Sequence, residues 1–324
     1  MADLVPLARV VRSDVVEAVH LGSVAVCDAG GRLVASAGDA ASVTFARSSL
    51  KPLQAAVSLD VAGEHPSAEE IAVMCASHNA EQVHVDAVHR LLGGAGLGTE
   101  ALRCPPAWPL DAGRAREVAG PARDLHMCSG KHAGMLLACE RAALPVETYL
   151  EPTHPLQERV LAAVETGTGA APTAIGVDGC GLPVPALPLA GLATLYARLL
   201  DPGPLAPLGP SAAAATDAMR AHPYLVAGRG RLCTPVMEAV PGAIVKIGAE
   251  GVVCAGLAEG LGVAVKVADG ASRARGPVLV SVLRQLNALG PDAEAALAEV
   301  GRPPVQGGGV SVGHVEALVE LSRA

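Results

Sequence analysis

The sequence predicts an α+β protein in which strands from both ends of the chain build one antiparallel sheet. Near the N-terminus, two valine-rich segments flank Asp28-Ala29-Gly30-Gly31, a pattern typical of a hairpin with a short glycine turn. Near the C-terminus, β-branched residues punctuated by glycine predict three further strands, at 242–246, 251–257 and 262–267. Strands at both ends with helices between them favour a sheet made from the two termini, with a helical region packed beside it.

The domain organisation follows from this order of elements. We expect a single domain over residues 1–324, because a chain of this length can bury one full core. Its sheet subdomain should comprise about residues 1–47 and 235–324, and its helical subdomain about residues 48–234. A functional cleft would then lie between the two parts.

The middle of the chain carries the helical signals. Ser67-Ala68-Glu69-Glu70 resembles a helix start with acidic residues in its first turn, and Pro155 fits the first turn of another helix. After Gly307-Gly308-Gly309 we expect one last strand and one last helix. Together with the two just described, the predicted helices before that point cover residues 47–59, 67–76, 81–92, 133–143, 153–165, 189–200, 211–221 and 273–289.

Composition and charge argue against several classes of function. A formal net charge of -8 does not fit a protein that binds a phosphate backbone, and aromatic residues, at 2%, offer no stacking platform for nucleic acid. Residues 1–16 hold four charges and no apolar run, so no secretory signal is expected. Gly, Pro or a charge breaks every later apolar stretch well before the ~20 residues of a membrane span. We expect a cytoplasmic protein with no nucleic-acid or membrane partner.

The first candidate site is Arg47-Ser48-Ser49-Leu50-Lys51-Pro52, which follows the predicted hairpin and opens an apolar segment. If this is the first turn of a buried helix, Ser48 and Lys51 share a face, because side chains three apart lie on the same side. A lysine that loses its proton on burial can take the proton of a neighbouring hydroxyl. Ser48 is therefore a candidate nucleophile and Lys51 its candidate base. A capped helix with a solvated lysine is the commoner meaning of this pattern taken alone.

Two further patterns occur in a suggestive order. Ser77-x-Asn79 follows a predicted helix, and Lys246-x-Gly248 lies on a predicted strand. Together with the first pattern they resemble the serine β-lactamases and penicillin-binding transpeptidases, where a nucleophile, a hydroxyl/amide pair and a strand lysine meet in one cleft. The alternative for Lys246 is the outer face of a strand. Its apolar neighbours on both sides favour a functional role, because a buried lysine is costly unless it is paired or neutral.

Two cysteine motifs, Cys128-x-x-Lys131 and Asp178-x-Cys180, form a second candidate site. The eight cysteines are spread along the chain without a Cys-x-x-Cys pair, so most should be reduced and buried. Two thiolates presented at turns could hold a soft divalent ion such as zinc, with water or an unusual ligand completing the tetrahedron. Simple buried packing remains the commoner role for two cysteines.

Taken together, these motifs resemble the rhizobial-type (class 3) L-asparaginases, in matching order and over nearly the whole chain. The motifs that carry the resemblance are Arg47-Ser48-Ser49-Leu50-Lys51-Pro52, Cys75-Ala76-Ser77-His78-Asn79-Ala80-Glu81, Cys128-Ser129-Gly130-Lys131-His132-Ala133-Gly134-Met135, Asp178-Gly179-Cys180-Gly181-Leu182-Pro183 and Val245-Lys246-Ile247-Gly248-Ala249. The resemblance implies a fold related to serine β-lactamases and glutaminases, a homodimer, and hydrolysis of L-asparagine to L-aspartate and ammonia.

The resemblance also implies a catalytic set made of two Ser/Lys tandems, Ser48 with Lys51 and Ser77 with Lys246. On this hypothesis the neutral amine of Lys51 takes the proton of Ser48, which attacks the side-chain amide of asparagine. Backbone N–H groups at the helix start would stabilise the tetrahedral oxyanion. Ser77, polarised by Lys246, would relay a proton to the departing ammonia before water hydrolyses the ester.

A zinc site and a substrate-binding set are implied as well. The implied zinc ligands are Cys128, Lys131 and Cys180, with Asp178 close by and water in the remaining position. The residues implied to bind the substrate are Arg47, His132, Asp178 and Lys131. Zinc would fix the α-amino or α-carboxylate end of the substrate, and the acyl-transfer chemistry does not strictly require it.

Two alternative functions remain open at this point. The first is a glutaminase or another Ser/Lys amidohydrolase, because a pocket that rejects one extra methylene gains only about 1–3 kcal/mol of discrimination. The second is a catalytically silent protein that binds zinc or an amino acid, in which the lysines are structural. The joint presence of both Ser/Lys pairs argues against this second alternative.

Overall fold

A computed structural model describes residues 3–323 of the chain, which form a mixed α+β fold. The strands are β1 (Val5–Arg12), β2 (Val15–Asp28), β3 (Leu33–Ala37), β4 (Val43–Phe45), β5 (Ala174–Val177), β6 (Pro183–Pro188), β7 (Ile244–Ile247), β8 (Val252–Gly256), β9 (Leu261–Val267), β10 (Pro304–Gly307), β11 (Val310–Ala317) and β12 (Ser322–Arg323). The helices are α1 (Lys51–Ala62), α2 (Ala68–Met74), α3 (Gln82–Gly94), α4 (Ala112–Ala115), α5 (Ser129–Arg141), α6 (Pro155–Thr168), α7 (Leu189–Leu200), α8 (Gly209–Ala221), α9 (Pro223–Ala227), α10 (Cys233–Ala239), α11 (Arg275–Gln285), α12 (Pro291–Ala296) and α13 (Ala298–Gly301).

The larger sheet is antiparallel and draws its strands from both ends of the chain, which confirms the predicted fold class. Its strand order is β10-β11-β1-β2-β9-β8-β7, with β3 beside β2 and β12 beside β3. The predicted hairpin is the pair β2 and β3, closed by a turn in which the Gly31 N–H donates to the Asp28 carbonyl. The three predicted C-terminal strands are β7, β8 and β9.

Elements at both ends of the chain differ from the prediction, including β1, β10 and β12. Strand β1 lies between β2 and β11, although Pro6, Arg9 and Arg12 interrupt the alternation by which a strand is recognised. The last predicted helix is wrong, because the residues after β11 run beside β1 and then form β12. There the Leu318 N–H donates to the Leu7 carbonyl, so tertiary hydrogen bonds replace helical ones.

Helix α7 packs directly on the larger sheet against β2, β8 and β9. Three of its leucines, Leu192, Leu195 and Leu199, are fully buried, as expected for a core with few aromatic residues. The contact requires a glycine in β9, because a Cβ at Gly262 would lie 1.9 Å from the carbonyl oxygen of Ala193.

No helix within residues 3–323 combines the length and apolar character needed to cross a membrane.

A second, three-stranded antiparallel sheet with the order β4-β6-β5 stands beside the larger one. Of its strands, only β5 corresponds to a strand expected from the sequence. The sheet fixes the segment that follows β4, because the Ala46 N–H donates to the Pro185 carbonyl at 3.0 Å. It therefore positions the turn that contains Ser48 next to the loop between β5 and β6.

The fold brings the ends of several helices and strands to one place. The start of α5 packs on the end of α2 so closely that a Cβ at Gly130 would lie 2.2 Å from the Val73 carbonyl oxygen. The end of β7 packs on the turn after β4, where a Cβ at Gly248 would lie 3.2 Å from the Ala46 carbonyl oxygen. The predicted site motifs all lie in or beside these junctions.

Candidate active site

Ser48 lies in a short 3₁₀ turn, Arg47–Leu50, that leads directly into α1. Arg47 has a φ of 52°, in the left-handed region that residues other than glycine rarely adopt. The side chain of Ser48 is half-buried, and its hydroxyl takes part in no hydrogen bond within residues 3–323. Ser48 is therefore presented on a constrained turn with its hydroxyl available to another molecule.

Lys51 opens α1 and is completely buried. Its Nζ donates to the carbonyl of Ala76, to Ser77 Oγ at 3.0 Å and to the Met127 carbonyl at 3.4 Å. The long side chain thus reaches the loop after α2, and its hydroxyl partner in the structure is Ser77. The contact expected from spacing, between Lys51 and Ser48, is not among the hydrogen bonds of the described residues.

Lys246 reaches the same serine from the opposite side. It lies on β7, is completely buried, and places its Nζ 2.8 Å from Ser77 Oγ and 3.0 Å from the Ile247 carbonyl. Ser77 is itself only 2% exposed, and its N–H donates to the Val226 carbonyl, which fixes the loop. Two amines therefore bracket one buried hydroxyl, so Lys51, Ser77 and Lys246 form one hydrogen-bonded network, which Ser48 does not join within residues 3–323.

Both lysines of this network have a lowered pKa. Burial lowers the pKa of Lys246 to about 7, and the nearby positive charge of Lys51 adds to this effect. Burial is also the main cause of the lowered pKa of Lys51. Within residues 3–323, neither amine forms a salt bridge with a carboxylate. A neutral amine near pH 7 can accept a proton from a hydroxyl, so the network is suited to proton transfer.

Cys128, Lys131 and Cys180 also lie together. Lys131 Nζ donates to Cys180 Sγ at 3.2 Å, and Cys180 Sγ lies 3.7 Å from Asp178 Oδ2. A hydrogen bond with the Cys180 thiol holds the pKa of Cys128 well below its usual value. Burial alone would lower the pKa of Lys131, but the nearby sulfur and carboxylate charges outweigh it and raise this pKa above its usual value.

These residues can be compared with what zinc requires. Within residues 3–323 no group of three His, Cys, Asp or Glu side chains could hold a metal ion. A zinc ion here would therefore need Lys131 as its third protein ligand, beside the two sulfurs. The Cys180 sulfur contacts both the Cys128 sulfur and the Lys131 amine, and this donor set fits a three-ligand site with one open position, provided that the amine gives up its proton.

An ion pair joins the Ser48 turn to the cysteine group. Arg47 Nε donates to Asp178 Oδ1 at 2.7 Å, and both side chains are largely shielded from solvent. Burial by itself would raise the pKa of Asp178, but the charge of Lys131 and the hydrogen bond from Arg47 lower it overall. The carboxylate is therefore ionised and faces both the serine turn and the cysteine group.

His132 lies beside Lys131 with one free ring nitrogen. Its Nδ1 is 2.7 Å from the Tyr149 hydroxyl, and its Nε2 is buried without a partner among the described residues. Burial lowers the pKa of His132 well below its usual value, so the ring is neutral. Because the Arg103 N–H already donates to the Tyr149 oxygen, we assign the tyrosine as donor to Nδ1, which leaves a proton on Nε2.

Tyr149 was not among the residues singled out from the sequence. The chain has only three tyrosines, and this one is completely buried against His132. The only feature of the sequence that could have indicated a role for Tyr149 is that tyrosine is rare in this chain, which is poor in aromatic residues. The other missed contacts, from Lys51 to backbone carbonyls, carry no signal in the residue pattern because any residue offers a carbonyl.

Comparison with known proteins gives the family. The model of the family described as L-asparaginase II matches residues 8–317. Among solved structures, the chain is similar to a crystal structure of a β-lactamase from Mycobacterium bovis, at 17% sequence identity and a TM-score of 0.44, over 82% of this chain and 94% of that one. A search of curated proteins gave no match.

The family match extends over most of the sequence and includes every predicted site residue. It confirms the resemblance to the rhizobial-type L-asparaginases on which the sequence-based expectations depend. The chain therefore belongs to the L-asparaginase II family and is an L-asparaginase amidohydrolase.

Proposed function

We propose that the protein hydrolyses L-asparagine to L-aspartate and ammonia by acyl transfer through a serine activated by lysine. The observation that supports this mechanism is the pair of buried amines, Lys51 and Lys246, which hold one hydroxyl between them beside the Ser48 turn. Buried lysines without carboxylate partners are costly to a fold, and they are typical of sites that need an amine base.

Exposure distinguishes the roles of the two serines in this proposal. A nucleophile has to reach the substrate carbonyl, and Ser48 is half-buried with an unengaged hydroxyl. Ser77 is almost fully buried and already contacts both lysines. We therefore assign the attack to Ser48 and the relay of protons to Ser77.

The proton path follows from these assignments. Neutral Lys51 accepts the proton of Ser48 as the serine attacks the side-chain amide carbonyl of asparagine. The Lys51–Ser77–Lys246 network returns a proton to the leaving nitrogen, which departs as ammonia and leaves an ester on Ser48. Water then attacks this ester, gives its proton to the same network, and releases aspartate with a regenerated Ser48.

The charged groups beside Ser48 suit the two ends of an amino acid. In our proposal, the carboxylate of Asp178 attracts the α-ammonium group, while Arg47 and the Nε2–H of His132 attract the α-carboxylate. Lys131 contributes a further positive charge to the same region. A substrate held by both ends would present its side-chain amide to Ser48.

Zinc is the cofactor we propose for the cysteine group, held by Cys128, Lys131 and Cys180. Bound there, it would supply a positive charge that orients the α-amino or α-carboxylate end of the substrate. We also propose a homodimer in the cytoplasm, on the family resemblance alone. Sedimentation of the purified protein at several concentrations tests the dimer.

Ammonia release from L-asparagine, with L-glutamine in parallel, tests the proposed reaction. We expect release from asparagine by the wild-type protein and none by Ser48→Ala. The matched control is Ser58→Ala, which removes a buried hydroxyl from α1 outside the site and should retain activity. A folded, active Ser48→Ala variant would move the nucleophile elsewhere. Preference for glutamine would favour a glutaminase, and silence with both substrates in the presence of zinc would favour a binding protein.

A further inference from the structure

A cavity of about 340 Å³, separate from the serine and cysteine groups, lies among the residues before α10, the start of α11 and the end of α13. Three of its lining residues are arginines, Arg231, Arg273 and Arg275, and one is acidic, Glu299. None of the residues that line it belongs to the candidate active site.

The three arginines have no carboxylate partner within residues 3–323. The guanidinium of Arg231 makes no hydrogen bond there, and Arg275 donates from Nη1 to the Gly248 carbonyl at 2.7 Å. Arg273 donates from Nε to His20 Nε2 at 2.9 Å, and the carboxylate of Asp269 contacts His20 from the other side of the ring. Each guanidinium thus keeps donors available for a ligand.

The positive charges at this cavity are poorly compensated. Burial lowers the pKa of Arg231 and of Arg275, and the charge of Arg231 contributes to the effect on Arg275. Helix α11 adds to the positive potential, because its first turn has neither an acidic residue nor a side-chain cap. Arg231 and Arg275 are half-buried and Arg273 is exposed, and an anion that enters the cavity would compensate their positive charge.

We propose that this cavity binds a phosphoryl group, as inorganic phosphate or as a small phosphate monoester. The planar guanidinium matches phosphate oxygens with two parallel hydrogen bonds, and all three arginines line the same cavity. A single carboxylate would leave most of the positive charge uncompensated. The volume exceeds that of phosphate alone, so a small group attached to the phosphate also fits.

A phosphate at this place would influence the active site through β7. Arg275 holds the carbonyl of Gly248, and the preceding residue, Ile247, accepts a hydrogen bond from Lys246. Cys233, two residues after Arg231, accepts the N–H of Ile247 at 3.4 Å. Arg275 therefore contacts the residue that follows β7, and Arg231 lies two residues before Cys233, which contacts β7 itself. On this basis, phosphate should change the rate of ammonia release.

Calorimetric titration of the full chain tests the site without relying on activity. The probes are inorganic phosphate, a nucleoside 5′-monophosphate and, as a carboxylate reference, succinate. We expect binding of phosphate or of the monophosphate that Arg231→Gln weakens about tenfold or more, since each charge-assisted hydrogen bond contributes substantially. Arg116→Gln, which removes an exposed arginine elsewhere, should bind like the wild type. The tighter of the two phosphate probes identifies the source of the phosphoryl group.

Several outcomes would overturn the proposal. These are no binding of either phosphate probe, equal binding by Arg231→Gln, or succinate binding as tight as phosphate. If Arg231→Gln fails to fold, Arg231→Lys is the second variant. It keeps the positive charge but cannot form two parallel hydrogen bonds with phosphate, so it should bind phosphate with intermediate affinity. Phosphate that binds but leaves ammonia release unchanged would refute the coupling through β7. Because binding is measured directly, failure of this site is distinguishable from failure of the proposed reaction.

Discussion

Replacing Lys246 with methionine should raise the stability of the protein and lower its activity. The buried amine has a pKa of about 7 in the folded chain, against 10.5 as its ordinary value. This difference of about 3.5 pKa units, at about 1.4 kcal/mol for each, amounts to about 5 kcal/mol of destabilisation near pH 7. Methionine has a similar shape and no charge to bury, so it would remove that cost.

The gain in stability expected for Lys246→Met is partly offset by the hydrogen bonds that the variant loses. Lys246 contacts Ser77 Oγ and the Ile247 carbonyl, and each such bond contributes about 0.5–1.5 kcal/mol. We therefore expect Lys246→Met to unfold with a free energy about 2–4 kcal/mol above that of the wild type at pH 7. Ammonia release should fall by about 10²–10⁴-fold, the usual contribution of general acid–base catalysis.

The dependence on pH gives the sharper test. Between pH 7 and 10.5 the unfolded chain binds a proton at Lys246 that the folded chain does not, so the stability of the wild type rises with pH there. The variant lacks this contribution, and its advantage should shrink by about 1.4 kcal/mol for each pH unit above 7. Groups that do not interact with Lys246 titrate alike in both proteins and cancel in the difference.

Urea unfolding of both proteins at pH 7 and 9.5, beside ammonia assays, measures these quantities. Lys266→Met is the reference for a partly exposed lysine; burial also lowers the pKa of Lys266, so this variant should show the same pH dependence to a smaller extent. A Lys246→Met protein that is less stable than the wild type at pH 7, with a stability difference independent of pH, would refute the reasoning. It would mean that the amine is protonated and paired in the folded chain.

Two further predictions concern the groups around the substrate. Tyr149→Phe removes the hydroxyl that donates to His132 Nδ1. The variant should raise the KM for L-asparagine about tenfold while kcat changes less, as measured by steady-state kinetics. An unchanged KM would contradict the role of His132. Cys180→Ser should lose most bound zinc, measured by elemental analysis, and should raise KM, whereas Cys139→Ser on α5 should keep the metal. A Cys180→Ser protein that binds as much zinc as the wild type would show that the ion binds elsewhere.

The sequence could predict the fold class and the members of the candidate site, since each motif lies at the end of a recognisable element. It could not predict the partner of Lys51. Spacing places Lys51 and Ser48 on the same side of the helix start, but the long Lys51 side chain extends instead to Ser77 in the loop after α2. Contacts between distant loops depend on packing, which periodicity does not report.

The C-terminal error has a similar cause. Residues after Ala317 were expected to form a helix, yet Gln285 of α11 accepts the Leu321 N–H with its Oε1 and donates from Nε2 to the Val319 carbonyl. These two hydrogen bonds from one side chain satisfy backbone groups that a helix would otherwise pair. Such a long-range partner overrides local helix propensity and leaves no periodic pattern in the sequence.

Lysine occurs three times in the candidate site, and its surroundings divide the three amines into two kinds. Lys51 and Lys246 lie against a hydroxyl and backbone carbonyls without a carboxylate, so burial lowers the pKa of each. Lys131 lies against sulfur and beside Asp178, and these negative charges raise its pKa. Side chains of one chemical type whose pKa values are shifted in opposite directions are suited to different tasks. With a pKa of about 7, Lys246 can exchange a proton at neutral pH, and burial lowers the pKa of Lys51 in the same direction. Lys131, when no metal is bound, stays charged. In the proposed mechanism, the neighbours of each lysine thus assign Lys51 and Lys246 to proton transfer and Lys131 to binding.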